Sequence, residues 1–244
     1  MTRPTIVPDR ESSAQVAVDA ALAQHDAPAV LDAGCGSGSR IRIPDRAHLV
    51  GLDVSADGIG QNPRVDEQII GDIQTFDLPG EEFAVIVCWD VLEHLQDPAR
   101  ALRNMHHALR PGGVMVIAAP NIWSPKGLLT KFSPYWFHTL VYRWAVGSDA
   151  THFPTYLRRE MSPRGLVRFA RRNHLLIRHL EFYRGAPEAK VLASHRIVSA
   201  AWELATRACQ ILTLGREKAQ FSEALVILEK PAAVSGEHPG DRTG

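Results

Sequence analysis

The run Val30–Gly38, VLDAGCGSG, sets an acid, Asp32, ahead of three glycines in five positions, Gly34, Gly36 and Gly38. Glycine loses the most backbone freedom on folding. A cluster of it after an apolar run therefore marks a turn at positive φ or a backbone that a ligand touches. The spacing is G-x-G-x-G, whereas the dinucleotide fingerprint places its third glycine five positions after the first. No Gly-Lys-Ser/Thr follows, which excludes a phosphate-binding P-loop. Asp53 lies where an acid can take both hydroxyls of a ribose. Asp32 would repel a pyrophosphate but can orient a ligand that carries an ammonium group. The glycine spacing and Asp32 together disfavour a nicotinamide-dependent oxidoreductase.

These residues need strands to hold them. Ala29–Asp32 and His48–Asp53 read as the first two strands, Gln68–Gly71 as a third and Phe83–Cys88, FAVIVC, as a fourth buried on both faces. SRIRIPDRA (39–47) is too short, and interrupted by Pro44, for a full crossover helix. Residues 57–68 have room for a stunted helix only. Asp97-Pro98 caps and opens a helix carrying Leu102, Met105 and Leu109 inward; Arg110–Gly113 stops it, and Val114–Ala118 is the fifth strand. Strands alternating with crossovers predict an α/β fold, a doubly wound and mostly parallel sheet. Its ligands sit at the carboxyl ends of the strands. Upstream, residues 1–11 form an extended arm and Ser12 or Ser13 caps a helix to about His25. Downstream, Ser162-Pro163 opens a helix to Asn173, Leu175–Phe182 is a strand, Lys190–Leu212 a helix and Glu223–Leu228 the last strand. Residues 231–244, rich in Pro, Gly and charge, predict a disordered tail.

The 244 residues, 45% hydrophobic and 22% charged, suit one domain with a substantial core. Twenty-seven basic residues balance twenty-seven acidic ones, so no net field draws nucleic acid. No apolar run is long enough to span a bilayer, and MTRPTIVPDRESS lacks a signal-peptide core. Cys35, Cys88 and Cys209 match no metal or redox spacing, so the expected setting is the cytoplasm, without a metal.

Five ordered motifs, VLDAGCGSG, LVGLDVS (49–55), GDI (71–73), FAVIVCWDVLEHLQDP (83–98) and LRPGGVMVIAAPN (109–121), resemble class I S-adenosylmethionine-dependent methyltransferases. The small-molecule group that includes the ubiquinone and menaquinone biosynthetic enzymes is the nearest pattern. The resemblance covers about half the chain. It implies a Rossmann-like seven-stranded sheet with an antiparallel last strand, within a single domain over 1–230. The cofactor half spans 28–120, and a helical, aromatic cap spans about 121–160 and 187–215. The cofactor would be S-adenosyl-L-methionine, with S-adenosyl-L-homocysteine as product. Carried over, Asp32 and the loop Gly34, Cys35, Gly36 and Gly38 would lie against its methionine part. Asp53 would hold the ribose and Val54 face the adenine, whose amino group Asp72 would bind while Ile73 packs on the ring. Cys88, Trp89 and Asp90 would floor the site near the sulfonium, and Arg10 would reach the cofactor carboxylate. The shortened 39–47 segment departs from the family and leaves the methionine end less screened.

Methyl transfer from a sulfonium is an in-line displacement, so the protein mostly aligns the reactants, and a hydroxyl acceptor needs a base. His94, His138 and His152 are the candidates; His152 leads, with Tyr156 as a neighbour. The fourth strand ends Cys88-Trp89-Asp90-Val91, without the Asn/Asp-Pro-Pro-Tyr/Phe signature of exocyclic-amine methylation. The segment 121–146 has the aromatic content of a wall around an apolar ligand. Arg164, Arg168, Arg171 and Arg172 form a basic helical stripe that suits solvent or an anionic head group. The expected reaction is O-methylation of a small, lipophilic or aromatic molecule. C- or N-methylation and a non-catalytic binding module are the alternatives, and a homodimer or peripheral membrane contact stays open.

Overall fold

The computed structural model describes residues 10–132, 154–215 and 218–232. Seven strands form one sheet in the order β3-β2-β1-β4-β5-β7-β6. They are β1 (Ala29–Ala33), β2 (His48–Asp53), β3 (Glu67–Ile70), β4 (Phe83–Trp89), β5 (Leu109–Pro120), β6 (Leu176–Tyr183) and β7 (Glu223–Glu229). β1 to β5 pair in parallel, and β7 runs antiparallel to both β5 and β6. The order reverses between β1 and β4, so the carboxyl ends of these two strands open a crevice. All seven residues of β4 are buried, as its unbroken apolar run predicts.

Two packed layers flank the sheet. On one side Leu31, Ile86 and Met115 meet Leu102 and Met105 of α3 (Pro98–Ala108). On the other, Val30, Val85 and Val116 meet Ala14, Val18 and Leu22 of α1 (Arg10–Leu22). The Asp97 side chain accepts from Arg100 N at 3.0 Å and Pro98 stands at the first turn, as the sequence predicts. Ser162 likewise accepts from Gly165 N, at 3.1 Å, and opens α5 (Pro163–Arg172), whose four stripe arginines are all exposed. Residues 34–47 contain no helix, and α2 (Ala56–Ile59) is one turn long.

Four boundaries depart from the sequence reading. α1 begins at Arg10, so Ser13 lies inside it, and Ser13 Oγ takes a hydrogen bond from the Tyr183 hydroxyl at 3.0 Å instead of capping. α1 ends at Leu22, where the Arg46 guanidinium takes the Leu22 carbonyl at 2.9 Å. β5 starts at Leu109 directly on α3, because a register shift against β4 absorbs Arg110–Gly113, with Gly112 at φ +78°. The expected helix over 190–212 is two: α6 (Ala186–Ser194) and α7 (Arg196–Leu212), parted by an extended His195 (φ −131°, ψ 97°). His195 N still donates to Val191 O, and its carbonyl accepts from Ser199 N, so the ladder bends without Gly or Pro to mark the place. Between α4 (Pro125–Phe132) and Pro154, the aromatic cap and the candidates His138 and His152 lie outside the described residues, as does the tail expected over 233–244.

Candidate functional site

The crevice holds two adjoining cavities, of about 540 and 700 Å³, that share Gly34, Gly36, Trp89 and Asp90 as walls. The smaller is lined by Asp32, Cys35 and the loop to Arg40. The larger runs along Asp53, Val54, Asp72 and Ile73 and is roofed by His94, Pro154 and Tyr156.

The loop is fixed by its own backbone. Gly34 N donates to Leu52 O at 2.7 Å, and Gly36 N donates to Asp53 Oδ2 at 2.8 Å. Asp53 Oδ1 accepts from Ser55 N at 2.8 Å, so one carboxylate ties the glycine loop to the end of β2. Gly34 sits at φ +83°, and a Cβ there would fall 2.2 Å from Val91 Cγ2. Around Gly36 and Gly38, by contrast, a Cβ would meet nothing within 4 Å. The loop therefore packs tightly at its start and leaves bare backbone facing the cavities.

The two acids at the crevice differ in surroundings. Asp32 is 4% exposed. Burial pushes its carboxyl up to about 6, Ser39 opposes the rise, and the charge of Asp53 adds to it. Its charged neighbour is thus another acid, and a cationic group entering the smaller cavity would relieve it. Asp72 is clasped by Gln74, whose backbone N and Nε2 lie 2.8 and 3.0 Å from Oδ1, with Nε2 also 2.8 Å from Oδ2. Gln74 Oε1 in turn accepts from Asp97 N at 2.7 Å, which couples Asp72 to the start of α3.

At the end of β4, Trp89 and Asp90 wall both cavities, while Cys88 is fully buried and lines neither. Alternation along the strand turns Cys88 into the core beside Ile86, and burial lifts its thiol well above the usual range. Cys35 is buried too, its thiol pushed up to about 12 by burial and then by Asp32 and Asp53. Asp90 has φ +54°, an unusual conformation for a residue other than glycine. Arg10 holds it there: Nη1 and Nη2 each lie 2.7 Å from an Asp90 oxygen, and the guanidinium stands 4.7 Å over the Trp89 ring. Arg10 thus pairs with Asp90, with Glu223 at 3.5 Å, whereas the family resemblance implies a contact with the cofactor carboxylate.

His94 and Tyr156 come together. His94 Nδ1 lies 3.0 Å from Pro154 O, which can only accept, so Nδ1 carries the hydrogen. Tyr156 N donates to Glu93 O at 2.7 Å, and the Tyr156 hydroxyl accepts from Gln96 Nε2 at 3.4 Å. Glu93 escaped the sequence reading. It is 7% exposed, its Oε2 has no hydrogen-bond partner among the described residues, and burial followed by the charge of Asp90 pushes its carboxyl up to about 8 against Arg10 and Lys126. The LEH triplet offered a signal, but a glutamate after a strand reads as solvated until burial is known. Among the described residues no cluster of His, Cys, Asp or Glu is placed to hold a metal, and no helix is long and apolar enough to cross a membrane.

A parallel sheet with β7 reversed between β5 and β6, and a glycine loop with an acid at the next strand end, define the class I methyltransferase architecture. Residues 9–168, more than half the chain, match the family described as "Methyltransferase domain", and the chain belongs to that family. It is 37% identical over 118 residues to a probable S-adenosylmethionine-dependent methyltransferase of Mycolicibacterium smegmatis, covering 45% of this chain and 44% of that one. It is 32% identical over 111 residues to the ubiquinone biosynthesis O-methyltransferase of Pseudomonas aeruginosa, covering 41% and 47%. The matched stretch is thus less than half the length of either relative. Among solved structures, the geranyl diphosphate C-methyltransferase of Streptomyces coelicolor A3(2) superposes with a TM-score of 0.58 at 15% identity, covering 89% of this chain and 78% of that one. At that identity the likeness concerns the fold.

Proposed function

We propose that the chain is an S-adenosylmethionine-dependent methyltransferase acting on a small molecule. The observation that carries this is Asp32, a buried carboxylate beside a bare glycine loop, with Asp53 across that loop at the end of β2. A cofactor with an ammonium at one end and a ribose at the other matches that pair of acids. Asp32 takes the ammonium, and Asp53, which has lone pairs beyond those given to Gly36 and Ser55, takes the ribose. Val54, 59% exposed at the cavity, and Ile73 offer apolar faces for a purine. Asp72 receives the exocyclic amino group while Gln74 keeps the carboxylate in place. S-adenosylmethionine supplies an activated methyl on a sulfonium, so the chain's own task is alignment, worth roughly 7–11 kcal/mol when complete.

The finer reading is O-methylation of a lipophilic or aromatic acceptor, with a histidine taking the hydroxyl proton. His94, at the roof of the larger cavity with Nδ1 toward Pro154 O, is the candidate among the described residues. His152 has the same claim from sequence. The aromatic composition of 121–146 suits it to an apolar wall, the reading takes one domain over residues 1–230, and the expected setting is the cytoplasm. Titration calorimetry with S-adenosylhomocysteine and with NAD tests the cofactor. Heat with NAD alone overturns the reading. Tritium transfer from labelled S-adenosylmethionine to phenols, carboxylic acids and sugars tests the acceptor, and transfer only to carbon or nitrogen excludes the oxygen reading.

A further inference from the structure

α7 is turned inside out. Its inward face consists of Ser199, Trp202, Thr206, Cys209, Gln210 and Thr213, all buried or half-buried. At 100° per residue its outward 120° is Ile197, Ala200, Ala201, Leu204, Ala208, Ile211 and Leu212, every one exposed. Ile197 is 87% exposed, Leu204 70%, Ile211 75% and Leu212 80%. These four residues expose on the order of 600 Å², the upper end of the largest apolar patch on a typical monomer and most of one side of a standard interface.

The pattern selects its own occupant. Ile197, Ala201, Leu204, Ala208 and Ile211 follow heptad spacing, alternating large and small. Read in either direction from Leu204 the sizes repeat, so two antiparallel copies set Leu204 over Leu204 and Ile197 over Ile211, an arrangement closed by a two-fold axis. The charged residues of α7, Arg196, Glu203 and Arg207, all lie on one flank. Antiparallel pairing centred on Leu204 brings Arg207 of each copy to within two residues, about 3 Å along the axis, of Glu203 of the other. Parallel pairing would instead carry the two charged flanks to opposite sides of the seam, with no such pair.

We infer that the exposed face of α7 is a homodimer interface, formed by antiparallel pairing with α7 of a second copy of this chain. Sedimentation equilibrium of the full chain from about 1 to 100 µM should give twice the 26.9 kDa chain mass. Leu204→Glu places a charge on the two-fold axis and should give the single-chain mass with a cooperative melt whose midpoint no longer rises with protein concentration, since Leu204 is 70% exposed in its own chain. Arg207→Glu should weaken dimerisation up to roughly tenfold, and adding Glu203→Arg should restore it. A wild-type chain that stays single over the whole range overturns the inference, as does a dimer indifferent to Leu204→Glu. Cosedimentation of a single-chain species with phosphatidylglycerol vesicles, lost in Leu204→Glu, overturns it in favour of a membrane surface.

Discussion

Arg10 and Asp90, eighty residues apart, meet through two parallel 2.7 Å hydrogen bonds at the wall common to both cavities. The pair joins the first helix to the end of β4, and a backbone at φ +54° is held in place by it. Arg10→Met should cost about 2 kcal/mol, between the value of an exposed and a fully buried pair, because the Asp90 side chain is still 37% exposed. The urea midpoint reads the stability. Calorimetry with S-adenosylhomocysteine should show a weaker fit as Asp90 relaxes.

Asp53→Ala removes the acceptor for two loop N–H groups as well as the proposed ribose contact. A loss of about 2–3 kcal/mol in S-adenosylhomocysteine binding, some 30- to 150-fold, is expected. Binding within threefold of wild type would remove Asp53 from the cofactor site.

Gly34→Ala forces a Cβ onto Val91 and a side chain into φ +83°. The backbone strain alone is worth about 1–3 kcal/mol. Val91→Ala in the same chain should recover the clash and leave the strain, so the double variant should melt between wild type and Gly34→Ala. Full recovery would mean the loop adapts its φ.

Asp32 titrates higher folded than unfolded, at about 6 against 3.8, so the folded state holds more protons between those values. Stability of the ligand-free protein should fall as pH rises through that window and stay lower above it, by up to about 3 kcal/mol. Asp32→Asn should abolish this slope and raise the urea midpoint at pH 7. Cofactor affinity should move the opposite way, tightening up to about pH 6 as the carboxylate forms, then levelling, with no such trend in Asp32→Asn.

Glu93 carries the same sign higher up, at about 8 against 4.5. Glu93→Gln should therefore gain stability over wild type as pH rises from 5 to 9. Thermal midpoints at those two pH values decide it, and a constant difference would place Glu93 in contact with solvent.

What the sequence made legible was whatever is local. Asp97-Pro98 and Ser162-Pro163 announce their helices because capping is satisfied within four residues. β4 announces itself because burial on both faces leaves no alternation to misread. The glycine loop and Asp53 could be read as one site because a fixed fold separates them by a fixed spacing. The rest depends on distance through space. Nothing within ten residues of Arg10 reveals Asp90, and nothing in LEH reveals that Glu93 is covered. Cys88 was expected at the floor because the motif passes through it, but strand alternation decides which neighbour faces the ligand. In α7 the helical period gave the stripe correctly and was silent on which side meets the body.

Glu223 opens β7, the strand that enters the sheet after all its neighbours in the chain, and there it sits 3.5 Å from Arg10 and 3.9 Å from Lys126. A nascent chain emerging from the ribosome can pair β1 to β5 early, but β5 keeps an open edge and Arg10 lacks its second acid until β7 arrives. Synthesis at about 5–20 residues per second puts roughly 10–40 seconds between the glycine loop and its last support. The glycine loop of the crevice is thus translated well before the strand that completes its surroundings.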